Sequence, residues 1–210
     1  MDTHKKRRYT SQKEPQMIKK LSYSVAVVVV LLLGYDGWNM HINNNFGTIS
    51  PNKVYKSRAI DADDIGSYID KYNIKTVIDL RDTQNQKTNR EAEKKAIDAI
   101  DGTRYINIKS PQTPTKENLK EFYEVMDDKS NYPVLIHCYH GLGRTMLYSA
   151  LYRIEYENMS NKDARWLTRP YPIESILHNS SFAKGRNKGD FLINYIKRDK
   201  GDSATIKTME

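Results

Sequence analysis

The chain has 210 residues, 38% of them apolar and 29% charged, with a single cysteine and a formal net charge of +8. That length suits one domain with an appendage, and one thiol excludes an intramolecular disulfide framework. Most of the positive charge lies in residues 1 to 20, where Lys5, Lys6, Arg7, Arg8, Lys13, Lys19 and Lys20 outweigh Asp2 and Glu14, so a nucleic-acid surface on the folded part is disfavoured.

After the basic tail (1–20), Leu21 to Leu33 is apolar apart from Ser22, Tyr23 and Ser24. A basic lead before such a run is an export-type signal, which places the N-terminus in the cytoplasm and the remainder outside. The apolar core is shorter than the roughly 20 residues of a full span. No small-x-small cleavage site follows it, and Lys19, Lys20, Tyr35 and Trp38 can extend it by snorkelling and interfacial anchoring. Residues 21–35 therefore read as a signal anchor, with a cleaved signal peptide and a secreted product as the alternative. Residues 36–50 read as a linker around Asn43-Asn44-Asn45, 51–200 as the folded domain and 201–210 as a tail.

Within the domain, Lys53 to Ser57 reads as a strand. Asp61 can cap a helix carrying Ile65, Tyr68 and Ile69. Ile74 to Arg81 is a strong strand that opens into a polar loop, Asp82 to Thr88, and a Glu/Lys/Ala-rich helix follows over 89–100. Arg104 to Ile108 is the next strand, and Thr115 starts a helix bearing Leu119, Phe122 and Met126. Strand and helix alternate, which predicts an α/β fold: a largely parallel central sheet flanked by helices, with ligands bound at the carboxyl ends of the strands.

One strand ends at the cysteine. Val134-Leu135-Ile136 is a short buried strand, and Cys138 follows it in His137-Cys138-Tyr139-His140-Gly141-Leu142-Gly143-Arg144-Thr145. Gly141 and Gly143 let the chain curl, and a helix begins at Arg144 with Leu147, Ala150, Leu151 and Ile154 at helical spacing. The backbone N–H groups of residues 139 to 144 then converge at a helix N-terminus, which favours a phosphate dianion. The same field favours Cys138 as thiolate, the nucleophilic form. Arg144 offers a planar fork for two phosphoryl oxygens, and Thr145 a hydroxyl for the sulfur when it departs. His137 and His140 flank the thiol, but neighbouring strand residues point to opposite faces, so they do not form a metal ligand set with it.

His-Cys-x5-Arg-Thr resembles the signature of the protein tyrosine and dual-specificity phosphatase superfamily. The order of Asn45 to Gly47, Pro51 to Ser57, Ile74 to Arg81 and Tyr105 to Ile108 before that loop is similar to exported bacterial dual-specificity-like phosphatases. The resemblance implies a cysteine-phosphatase-like fold and hydrolysis of a phosphorylated protein or lipid through a cysteinyl-phosphate, without metal or cofactor. In it Cys138, Arg144 and Thr145 are catalytic, and Tyr139, His140, Gly141, Leu142, Gly143 and Arg144 bind phosphate.

Two departures qualify the pattern. Such enzymes usually carry a general-acid Asp between the third of these strands and the next helix, where this chain reads Lys109-Ser110-Pro111-Gln112-Thr113-Pro114, without a carboxylate. Asp82 is the nearest carboxylate by topology and His140 the runner-up; a phosphate-binding protein without turnover is the rival class. Within the cradle only His140 can add charge, which favours a phosphomonoester with one phosphate engaged over a highly charged inositol polyphosphate.

Overall fold

The computed structural model describes residues 13–82, 90–168 and 181–199. It divides at Asn43/Asn44 into two units, each described by itself. The first is one helix, α1 (Lys13–His41). Its stretch Gln16–Asn39, 24 residues, is long and apolar enough to cross a membrane, and it is not buried by the protein. At 1.5 Å per residue it spans about 36 Å, against about 30 Å of hydrocarbon. The helix is longer than the apolar segment read from sequence, because polar residues at both ends continue the helical turn.

The second unit has the α/β architecture expected. Its strands are β1 (Gly47–Ser50), β2 (Val54–Ser57), β3 (Thr76–Asp79), β4 (Arg104–Asn107) and β5 (Val134–His137), in the order β1-β2-β5-β3-β4. The pairs β2/β5, β5/β3 and β3/β4 are parallel, and only β1, at one edge, is antiparallel to its neighbour. The helices are α2 (Ala62–Tyr72), α3 (Arg90–Asp98), α4 (Lys116–Asp127), α5 (Arg144–Tyr156), α6 (Asn161–Trp166) and α7 (Asn187–Ile193). Four-residue strands suffice because β5 and β3 are buried along their whole length, so both faces gain from leaving water.

Two apolar layers cover the sheet. One side packs α2 and α3 through Ile65, Ile69 and Ile97 onto Tyr55, Val77 and Leu135. The other packs α4 and α5 through Phe122, Met126, Leu147 and Leu151 onto Val54, Ile78, Val134 and Ile136. Helix α4 starts where the sequence places it: Thr115 accepts from the Asn118 N–H while the Asn118 side chain accepts from the Thr115 N–H.

The linker assigned to 36–50 is corrected. Its first residues continue α1, and its last form β1. Asn44 and Asn45 take left-handed backbone angles, φ 53° and 47°, and Asn45 is buried. Asparagine tolerates that conformation because its side chain can bond locally. Most of the loop expected over 82–88 lies outside the described residues.

A buried polar network lies behind β5. Arg81 Nε and Nη2 donate to Asp79 at 2.8 to 3.0 Å, Arg81 Nη2 also pairs with Glu93, and the Tyr105 hydroxyl donates to Asp79. His137 Nε2 lies 3.3 Å from Glu93 Oε1. Burial alone would push the Asp79 carboxyl up, but His137, Arg81 and Tyr105 together hold it below its ordinary value. Asp79, Glu93 and His137 bring three potential metal-ligand atoms within 4.8 Å of one another. Arg81 already pairs with both carboxylates, so the group reads as an ion-pair network. Arg81→Met would leave both carboxylates buried without that cation. We expect a loss of about 3–5 kcal/mol of stability, read by urea denaturation; an unchanged midpoint would show that the network does not hold the domain together.

Candidate active site

The central position of β5 sets the site. Its last residue, His137, is followed by Cys138 at the carboxyl edge of the sheet, with the thiol 4% exposed. The Leu80 N–H donates to the His137 carbonyl at 2.9 Å, which ties the loop after β3 to the base of the nucleophile loop.

From Cys138 to Gly143 the chain makes the tight curl expected. Gly141 has φ +72°, and a Cβ there would lie 2.6 Å from the Ser57 carbonyl oxygen. Glycine is thus required twice, for its backbone angle and for the close approach of the segment after β2. That segment supports the outer rim: the Ala59 N–H donates to the Tyr139 carbonyl at 3.2 Å, and Asn45 Nδ2 donates to the His140 carbonyl at 3.0 Å. None of the backbone N–H groups from Tyr139 to Gly143 donates to a backbone carbonyl among the described residues. They remain as donors at the N-terminus of α5, a 13-residue helix whose N-cap, Gly143, supplies no side-chain cap.

Arg144 opens that helix and is 6% exposed. Its Nη1 donates to the carbonyls of Leu80 at 2.9 Å and Ser110 at 3.0 Å, so the loops after β3 and β4 fix the plane of the guanidinium. The Tyr148 hydroxyl holds Ser110 from below, donating to its Oγ at 2.9 Å. Thr145 is fully buried, and its hydroxyl has no hydrogen-bond partner among the described residues. His140 is exposed, its ring set edge-on to Tyr139 at 4.4 Å between centroids. Asp82 is half-buried and follows Arg81, whose carbonyl accepts from Asn107 Nδ2.

Two lysines missed in the sequence flank the loop and correct the expectation of a nearly neutral cradle. Lys56, on β2, donates to both the backbone and side-chain oxygens of Asn45 at 3.0 Å. Burial lowers its pKa to about 8, against an opposing pull from Cys138. Lys188, on α7, is buried, and its Nζ lies 2.6 Å from Gln112 Oε1 and 3.2 Å from where a Cβ on Gly143 would stand. Burial lowers its pKa as well, with Cys138 opposing and Arg144 reinforcing the shift. No local pattern announces either residue, since both reach the loop from distant parts of the chain.

A thiol at the floor of a curled loop, ringed by N–H donors and faced by an anchored guanidinium, is the site of a cysteine-dependent phosphatase of the tyrosine and dual-specificity superfamily. The chain belongs to the family described as DSP-PTPase phosphatase fused to NAD+ kinase, whose model matches residues 60–183, and is accordingly a phosphoric monoester hydrolase. Solved structures share the fold. The core catalytic domain of the PP-IP phosphatase Siw14 from S. cerevisiae is 18% identical with a TM-score of 0.53, the match covering 72% of this chain and 85% of that one. P. aeruginosa TpbA is 20% identical with a TM-score of 0.51, covering 73% and 86%. A mutant form of Tk-PTP is 17% identical with a TM-score of 0.53, covering 70% and 91%. No curated protein matches the chain by sequence.

Proposed function

We propose that the protein hydrolyses phosphomonoesters without a metal, through a cysteinyl-phosphate, while anchored in a membrane. The observation that carries the chemistry is Cys138 beneath a loop whose curl depends on Gly141 and whose arginine is held by two carbonyls. Cys138 Sγ attacks phosphorus, and the ester oxygen leaves with its bonding pair. The loop N–H groups and Arg144 hold the three non-bridging oxygens through the transition state, where such preorganised donors contribute most. Water then attacks the phosphocysteine, and the Thr145 hydroxyl, which has no hydrogen-bond partner among the described residues, is read as the donor to the departing sulfur. Hydrolysis of a generic aryl phosphate by the full chain in detergent tests the reading, which falls if no turnover is found.

The substrate is read as a phosphoprotein or another phosphomonoester. Helix α1 supports a second reading, a membrane lipid phosphate, because an anchored enzyme meets such substrates at high local concentration. We place the catalytic unit outside the cytoplasm, on the basic lead before α1. A reporter fused after residue 45 should be active only in an extracytoplasmic compartment, and the protein should stay with membranes through a high-salt wash. Recovery of a soluble form starting near residues 35 to 38 would mean that the segment is a cleaved signal.

A further inference from the structure

Expelling an alkoxide or phenolate from phosphorus requires a proton at the leaving oxygen, and the loop that holds Arg144 through the Ser110 carbonyl, Lys109 to Pro114, has no carboxylate to give one. What that loop presents at the mouth of the cradle is Gln112, exposed, with its Oε1 on the Lys188 ammonium at 2.6 Å. Both head groups stand over the start of α5, the Lys188 Nζ at 3.2 Å and the Gln112 Oε1 at 3.6 Å from where a Gly143 Cβ would be. They line an open groove of about 370 Å³ with Thr113 and Arg186.

Lys188 is unusual in its company. It is a buried ammonium with no carboxylate within ion-pair distance among the described residues, only a neutral amide and, at 6.0 Å, the face of Phe182. A buried cation without a counter-ion is costly, and the cost is relieved when an anion arrives beside it. Here the arriving anion is the phosphoryl group over Cys138. The other cations nearby are committed differently: Arg144 does not release a proton in proteins, and Lys56 spends its donors on Asn45.

Resting on the phosphatase reading above, we propose that Lys188, oriented by Gln112, is the catalytic proton donor to the leaving oxygen, in place of the Asp82 expected from sequence. In the first step the Sγ–P bond forms, the ester P–O bond breaks, and the leaving oxygen takes a proton from Nζ, which becomes an amine. In the second, water oxygen bonds phosphorus, the S–P bond breaks with its pair returning to sulfur, and the amine takes the water's proton. Lys188 is restored as ammonium. Its lowered affinity for protons, set by burial and Arg144 and moderated by Cys138, suits both directions of transfer.

The test is kcat/KM for a series from dinitrophenyl phosphate through phenyl phosphate to an alkyl phosphate, measured on the full chain in detergent. For Lys188→Met we expect a loss that grows with leaving-group basicity, so that the ratio between the two ends of the series shifts by about 100-fold or more. Lys188→Arg keeps the charge but cannot give its proton, so it should show the same dependence and lose the basic limb of the pH–rate profile. Gln112→Met, which leaves every ionisable group in place, should shift the ratio in the same direction, giving a readout independent of whether the Lys188 variants fold.

Equal losses across the series in Lys188→Met would make the residue a binding group and overturn the proposal. Wild-type behaviour of Lys188→Arg would reduce its role to charge, and an unshifted ratio in Gln112→Met would remove the orienting contact; either overturns it. A ratio shift in Asp82→Asn, with none in the Lys188 variants, would return the role to Asp82. If wild type turns over none of these esters, or Cys138→Ser turns them over equally, it is the phosphatase reading itself that falls.

Discussion

Cys138→Ser is expected to abolish turnover of every phosphomonoester while leaving oxyanion binding in place. The two side chains are nearly isosteric, and Cys138 is packed against the core, so the substitution leaves the loop's path unchanged. What changes is the nucleophile, since sulfur attacks phosphorus far more readily than a serine hydroxyl does. The N–H donors of the loop and the anchored Arg144 remain, so vanadate or phosphate should still bind in a calorimetric titration. Acid quenching of the wild type during turnover should trap a phosphorylated Cys138, detectable by peptide mass. Full activity in the serine variant would exclude the cysteinyl-phosphate.

Arg144→Lys is expected to lower kcat by about 100-fold or more, the range found when a preorganised transition-state donor is removed. The argument is geometric. The guanidinium has five N–H donors in one plane, and Nη1 donates to the carbonyls of Leu80 and Ser110, so two loops set the orientation of that plane. An ammonium has three donors on one atom, so contacts to the two carbonyls compete directly with contacts to substrate. A variant with unchanged kcat and only a raised KM would show that Arg144 binds the ground state without serving the transition state.

The sequence was most legible where the pattern is local. The buried run of β5, the glycines of the loop and the apolar spacing of α5 lie within one continuous segment, and the structure brings them together as read. Helix α4 carries its own start signal in Thr115 and Asn118. Legibility fails where a residue's role depends on a distant partner. Glu93 sits in the Glu/Lys/Ala-rich helix, yet it is 2% exposed because Arg81, two residues after β3, and His137, the last residue of β5, meet it. Strand β1 is only Gly47 to Ser50, with its first residues partly or fully exposed, and it exists through pairing with β2. A run of three asparagines reads as polar linker, whereas Asn45 is buried by bonding His140 and Lys56. Lys188 belongs to the same group. Asp82 does follow β3 at the carboxyl edge, as topology requires, but an edge of a sheet does not say which side chain points at the ligand.

The placement of Asn44 and Asn45 has a mechanical consequence. Helix α1 ends at His41, and by Asn44 the chain is already part of the catalytic unit, its carbonyl accepting from the Arg58 N–H and its side chain donating to the Tyr68 hydroxyl. The next residue holds the rim of the phosphate loop through the His140 carbonyl. A tension applied along the chain at residue 43 is therefore borne first by Asn44 and passed, through the Asn45 amide, to the loop that positions the nucleophile.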